Sequence, residues 1–177
     1  MNKTKKYNIK HRKIRRTRKN NNQIYIFGYG SLINQNSRFK TLNKHTYHTP
    51  VILKKYANFY RHWISDKNNF CRFNIKYDHR LSQNINGVLF KVNKLQLKLL
   101  DKRENIYKRI IIPSRFFKSF FKNSRLPDDF QFAHVYISSY PETNNCNFLQ
   151  SYNNTIISGA LDIDKRFHKY LINNIKI

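Results

Sequence analysis

One glutamate and one glycine-rich turn are the residues of this chain best suited to chemistry. Glu104 lies in Gly87-Val-Leu-Phe-Lys-Val-Asn-Lys-Leu-Gln-Leu-Lys-Leu-Leu-Asp-Lys-Arg-Glu-Asn-Ile-Tyr107, between an apolar helical pattern and a β-rich run. Only nine Asp and Glu stand against thirty-five Lys and Arg, so a carboxylate at such a junction asks for a reason. General base and then general acid is one such role. The turn is Phe27-Gly-Tyr-Gly-Ser-Leu32, directly after an apolar strand pattern. Successive backbone N–H groups in a turn of this kind form a concavity for carboxylates and oxyanions. Gly28 and Gly30 let a ligand approach the main chain closely.

Each feature also has a plain structural reading. Many Gly-X-Gly-Ser turns are only turns. This one is no dinucleotide fingerprint, because Ile33 stands where the third glycine belongs, and no GKS or GKT phosphate loop is present. Glu104 could be a solvated acid or a partner of Arg103 or Lys108. A helix C-terminus disfavours its charge while nearby cations favour it.

The other reactive side chains form no pattern. His45, His48, His62 and His79 lack metal-ligand spacing. His134 and Cys146 have no third partner for nucleophilic catalysis, and Trp63 reads as core. Cys71 and Cys146 show neither a disulfide framework nor a zinc spacing; two reduced thiols in a reducing compartment are the expectation.

The elements that must hold Glu104 and the turn can be read from periodicity. Ile24–Phe27 reads as a buried strand followed by a turn at 28–30. Tyr47–Ile64 reads as one or two strands, and Phe70–Tyr77, Asn86–Val92, Ile106–Pro113 and Phe130–Ser138 as further ones. Gly87 suggests a bulge or close approach. Asn93 is a plausible N-cap for a helix to about Glu104, with Leu95, Leu99 and Arg103 on one face and Leu100 beside them. Phe148–Leu161 predicts a helix with Phe148, Tyr152 and Ile156 on one stripe, closing near Gly159. Phe167, Tyr170, Leu171 and Ile175 predict a last short helix with Asp164 as N-cap. Strand runs with helices between and after them indicate an α+β fold around a strongly bent sheet or barrel.

Taken together, four stretches resemble the gamma-glutamylcyclotransferase-like family. They are Phe27-Gly-Tyr-Gly-Ser-Leu-Ile33, Asn86-Gly-Val-Leu-Phe-Lys-Val92, Leu99-Leu-Asp-Lys-Arg-Glu-Asn-Ile-Tyr107, and Leu149-Gln-Ser-Tyr152 with Gly159. Tyr60-Arg-His-Trp63 also looks like a strand of some bacterial-type members. The resemblance runs in order from about Ile24 to Leu161 and leaves 113–129 unmatched. It implies a small mixed β-barrel flanked by helices. It implies cyclisation of a gamma-glutamyl group to 5-oxoproline with release of an amine or peptide, and no metal or organic cofactor. The catalytic glutamate of the family falls on Glu104, and its substrate-binding loop on Tyr29, Gly30, Ser31 and Leu32. Tyr107 and Tyr152 match aromatic positions near the pocket.

Length, composition and charge frame this reading. With 177 residues, 40% apolar and 15% aromatic, the chain is expected to fold as one domain over 23–177. Residues 1–22 carry ten Lys and Arg and no acid, and are expected to be a disordered basic tail. A net charge of +26 attracts anionic partners, although a Lys- and Asn-rich composition explains part of it. The rival function is therefore nucleic-acid binding through this tail and the basic surface. A cyclotransferase with a polyanion-binding tail combines the two. No apolar run approaches the roughly 18 residues of a membrane span. The expected location is cytoplasmic, or nuclear through the tail.

Overall fold

The computed structural model describes residues 23–143 and 145–175; the expected basic tail, 1–22, lies outside them. Eight strands and four α-helices follow in the order β1 (Ile24–Gly28), α1 (Gln35–Leu42), β2 (His48–Leu53), β3 (Phe59–Ser65), β4 (Cys71–Tyr77), β5 (Ile85–Val92), α2 (Lys94–Arg103), β6 (Lys108–Pro113), β7 (Phe117–Ser119), β8 (Phe132–Ile137), α3 (Gln150–Ile163) and α4 (Lys165–Asn173). The main sheet has the order β6-β8-β1-β5-β2-β7, and β3 and β4 form a separate hairpin. β1 runs parallel to β8 and antiparallel to β5. The result is an α+β fold whose mixed sheet curls into a half-barrel flanked by helices.

Strand alternation explains the layering, since successive side chains point to opposite faces. In β1 and β5, Tyr25, Phe27, Ile85 and Leu89 join one core, which also takes Ile156, Ala160, Phe167 and Leu171 from α3 and α4. Ile26, Val88, Phe90 and Val92 join a second core on the other face, with Leu42 of α1 and Leu100 of α2. The two central strands are buried on both sides, which is why their sequences read as nearly unbroken apolar runs.

Leu95 and Leu99 are exposed, and α2 is anchored by Leu100, which is fully buried, with Leu97 packed against the same core. Several local expectations need correcting. α3 continues through Gly159, and Phe148 precedes it. A Cβ at Gly159 would lie 2.5 Å from Asn34 Cα, so this glycine serves a close crossing of α3 over the start of α1. The segment 113–129 supplies β7, paired with β2 through Leu53 and Phe117. Its aromatic character has a structural use, because Phe117 is buried and Phe120 packs 4.9 Å from Phe167 of α4. Cys71 and Cys146 form a disulfide across 75 residues, with Cα atoms 5.2 Å apart. The expectation of two reduced thiols is overturned, and the compartment inferred from them loses that support. The bond ties β4 to the irregular segment that leads into α3.

Candidate active site

The turn after β1 is held tightly against β5. A Cβ at Gly87 would lie 2.4 Å from the Gly28 carbonyl oxygen and 2.5 Å from the Phe27 ring, so only glycine lets the two strands approach here. Beyond Gly28 the chain enters a short 3-10 turn, Ser31–Ile33, closed by the Ile33 N–H donating to the Gly30 carbonyl at 2.9 Å. The N–H groups of Gly30, Ser31 and Leu32 find no acceptor among the described residues. The Leu32 side chain is buried in the second core, so only its main chain is offered to a ligand.

Glu104 caps the C-terminus of α2. The helix starts with a reciprocal capping box, in which Asn93 accepts from Gln96 N and Gln96 accepts from Asn93 N. At its far end Glu104 N–H donates to the Leu100 carbonyl at 2.8 Å, and Tyr107 N–H to the Glu104 carbonyl at 2.9 Å. Glu104 lines a cavity of about 380 Å³ together with the 28–32 turn. Its side chain is only 14% exposed, and Oε1 accepts from Arg103 Nε at 2.9 Å. Burial raises the Glu104 pKa above the usual carboxylate value, and Arg103 and Arg72 offset only part of that rise. The expected pairing with Arg103 is therefore present, while the alternative of a solvated surface acid is not.

Arg103 also ties α2 to the glycine-rich turn and to α1. Its guanidinium donates to Ser31 Oγ at 3.0 Å, Ser37 O at 2.8 Å, Ser37 Oγ at 2.9 Å and Thr41 Oγ1 at 2.9 Å. Glu104 is thus referenced to the glycine-rich turn through one rigid side chain.

Tyrosines close the cavity. Tyr29 donates to the Tyr136 carbonyl, and Tyr107 to the Phe73 carbonyl at 3.0 Å. Tyr152 accepts from Phe73 N at 3.1 Å. Burial pushes the Tyr29 and Tyr107 phenols well up and the Tyr152 phenol to about 12, so all three stay neutral around Glu104.

A second carboxylate lines the same cavity. Asp66, in the β3–β4 turn, accepts from the N–H groups of Asn68 and Phe70 and from Arg72 Nε at 2.9 Å. Burial works to raise its pKa, but these donors outweigh burial and hold it below the usual value. Two carboxylates pushed in opposite directions separate into roles, and only the raised one suits proton transfer near neutral pH. Arg72 stacks on Tyr152, its guanidinium carbon 4.8 Å from the ring centroid, and its Nη atoms make no hydrogen bond among the described residues. With Lys67 it gives the cavity rim a cationic side. No three His, Cys, Asp or Glu side chains converge on a metal-sized site among the described residues.

Glu104, Tyr29, Gly30, Ser31, Leu32, Tyr107 and Tyr152 all line this one cavity, although the sequence scatters them over 124 positions. Sequence reasoning missed Arg72, Asp66, Tyr136 and the bridging role of Arg103. The only available signal was the basic side chain next to Glu104.

No family model matches the chain, and no curated protein matches it. Solved structures do. A gamma-glutamyl cyclotransferase superposes with TM-score 0.64 at 15% identity, over 85% of this chain and 86% of that one. An uncharacterised protein from Homo sapiens gives 0.65 at 15% identity, over 85% and 87%. A yeast gamma-glutamyl cyclotransferase described as specific to glutathione gives 0.51 at 13% identity, over 88% and 89%. At these identities the likeness establishes the gamma-glutamylcyclotransferase-like fold.

Proposed function

We propose that this protein is a gamma-glutamylcyclotransferase, converting a small gamma-glutamyl compound into 5-oxoproline and a free amine or peptide. The observation that carries the reading is a buried carboxyl of raised pKa, Glu104, lining one cavity of about 380 Å³ with a turn whose N–H groups at 30–32 have no acceptor among the described residues. That volume lies at the lower end of the range for small-molecule sites.

A gamma-glutamyl substrate carries its own nucleophile, the α-amine, one five-membered ring away from the γ-carbonyl carbon. A site that holds the chain folded back supplies proximity, worth about 7–11 kcal/mol in favourable cases. Glu104 takes the amine proton as the new C–N bond forms. The negative charge developing on the γ-carbonyl oxygen is received by the N–H groups of Gly30, Ser31 and Leu32. Glu104 then returns the proton to the departing nitrogen as the original amide bond breaks, so no net proton is gained or lost. Arg72, with donors directed at the cavity, suits the substrate α-carboxylate. The neutral tyrosines exclude water without offering a competing base. No step needs a metal or organic cofactor, and Ser31 needs no nucleophilic role.

Glutathione, gamma-glutamyl amino acids and gamma-glutamyl-ε-lysine are the candidate substrates. The Tyr29-Gly-Ser-Leu-Ile33 form resembles the glutathione-cleaving branch, one similar structure is described as glutathione-specific, and the cationic rim favours an anionic released group. A panel of these compounds assayed for 5-oxoproline tests the reading. Release from at least one, saturable and enzyme-dependent, is expected; no release from any would overturn it.

A further inference from the structure

The two most deeply buried arginines among the described residues have no part in the reaction as drawn, yet both donate to carbonyls of the glycine-rich turn. Arg38 is 0% exposed and Arg61 5%, and neither has a carboxylate partner among the described residues. A buried guanidinium without a counter-ion is costly, so its contacts deserve an accounting.

Arg61 Nη2 donates to the Tyr29 carbonyl at 3.1 Å and to the Asn86 carbonyl at 2.7 Å. Arg38 Nη1 donates to the carbonyls of Leu32 at 2.7 Å and Ile33 at 2.8 Å. The two intervening carbonyls are taken by the chain itself, Gly30 O by Ile33 N at 2.9 Å and Ser31 O by Asn34 N at 3.2 Å. Every carbonyl from Tyr29 to Ile33 is therefore occupied. A peptide unit is planar and trans, so its N–H points opposite to its C=O. With the Tyr29 carbonyl turned toward buried Arg61, the Gly30 N–H faces the other way, and Gly30 lines the cavity. The loop carbonyls, which would repel an anion, are thus all engaged, and the amides are left over.

Charge acts in the same sense. Arg38, Arg61 and Arg103 each donate to the turn, and among the described residues Glu104 is the one carboxylate paired with any of them. Arg38 stays protonated at neutral pH despite burial, which lowers it to about 10, as does Arg61. Among the described residues Arg38 and Arg61 have no carboxylate partner, so the turn is backed by positive charge that a negative charge developing there would offset.

We propose that Arg38 and Arg61 are positioning residues for the cyclisation, fixing the Tyr29–Ile33 carbonyls so that the Gly30, Ser31 and Leu32 amides receive the oxyanion. The inference rests on the cyclotransferase reading. It differs from a purely structural role because the benefit falls on the transition state and not on bound product.

The experiment compares wild type with Arg61→Lys, Arg38→Lys and Arg61→Met. It measures kcat and KM for 5-oxoproline release, competitive inhibition by added 5-oxoproline, and thermal melting. Folded Arg61→Met should lose about tenfold or more in kcat, with KM and product inhibition within about twofold of wild type. Each Lys variant, which keeps a cation but lacks the rigid planar fork of the guanidinium, should lose less. If Arg61→Met does not fold, the Lys variants decide: a fall of about threefold in kcat at unchanged product inhibition supports the role. An unchanged kcat in any folded variant overturns it, and so does a parallel loss of kcat and product affinity, which marks general loosening. A wild type that forms no 5-oxoproline overturns the cyclotransferase reading and this inference together, whereas an active wild type with indifferent variants overturns the inference alone.

Discussion

Replacing Glu104 by Gln should abolish turnover without weakening the fold. On the rate side, one positioned acid/base contributes roughly 10²–10⁴-fold, or about 3–5.5 kcal/mol of barrier. On the stability side the structure allows the terms to be compared. Arg103 keeps its four other hydrogen bonds, to Ser37 O, Ser37 Oγ, Thr41 Oγ1 and Ser31 Oγ. Gln still offers an oxygen to Arg103 Nε, so only the charge assistance of that bond is lost, about 1 kcal/mol. Against this stands the burial of the carboxylate. A carboxyl whose folded pKa lies above its unfolded one binds more protons in the folded state, so stability falls as pH rises from the unfolded value through the folded value. Glu104 is such a group, and Gln carries no such cost. The variant should melt within about 1 kcal/mol of the parent, gaining on it as pH rises through that window. The assay is 5-oxoproline release beside thermal melts at several pH values. A variant retaining more than about a tenth of the parental kcat would refute the acid/base role. One losing more than about 2 kcal/mol of stability would refute the accounting.

Further outcomes can be checked separately. The acid limb of kcat/KM should lie above the usual carboxylate range, because Glu104 must be ionised to act and burial raises its pKa; Arg103→Met, which removes an opposing cation, should move the limb to higher pH. Arg72→Met keeps the packing on Tyr152 but removes the charge, and should raise KM about tenfold or more with a smaller effect on kcat. Reducing the Cys71–Cys146 bond should cost roughly 2–4 kcal/mol, read from denaturant midpoints with and without reductant, and thiol labelling of the unreduced, unfolded protein should find neither cysteine. If residues 1–22 form a polyanion-binding tail, RNA or DNA binding should fall steeply with salt and vanish on their deletion; binding that ignores either change would remove the tail from the account.

What the sequence revealed depended on how local the cause was. α2 was legible because Asn93 and Gln96 cap each other three residues apart, and α4 because Asp164 accepts from Arg166 N. α1 was not, because its polar segment Gln35–Leu42 docks through Arg38 and Leu42, and a charged anchor leaves no apolar stripe to read. β7 is three residues long and exists through its pairing with β2. The disulfide joins positions whose separation says nothing about proximity. The apolar pattern of α2 did not show which face docks: Leu95 and Leu99 are exposed, while Leu100 is buried and Leu97 packs against the same core. At the site, Glu104, the turn, Tyr107 and Tyr152 came forward through motif resemblance. The arginines that orient them did not, because in a chain with thirty-five Lys and Arg a buried arginine looks like any other.

The surplus of positive charge and the burial of Glu104 require each other. Arg72, Arg103, Arg38 and Arg61 lie in or behind the cavity walls, and among the described residues Asp66 and Glu104 are the carboxylates that pair with any of them. Such a surplus favours entry of an anionic substrate, but in an open site it would also hold Glu104 ionised at low pH and make it a weak base. Desolvation by burial acts the other way and prevails, which leaves the carboxyl raised. Opening the cavity should therefore damage catalysis even where no contact to Glu104 is lost. A water-admitting change in the tyrosine wall, such as Tyr152→Ala, lowers the Glu104 pKa toward that of an exposed carboxyl among cations. The acid limb of the pH profile then shifts to lower pH while the maximal rate falls. A profile that keeps its position in that variant would mean that the surrounding charges, and not burial, set the proton affinity of Glu104.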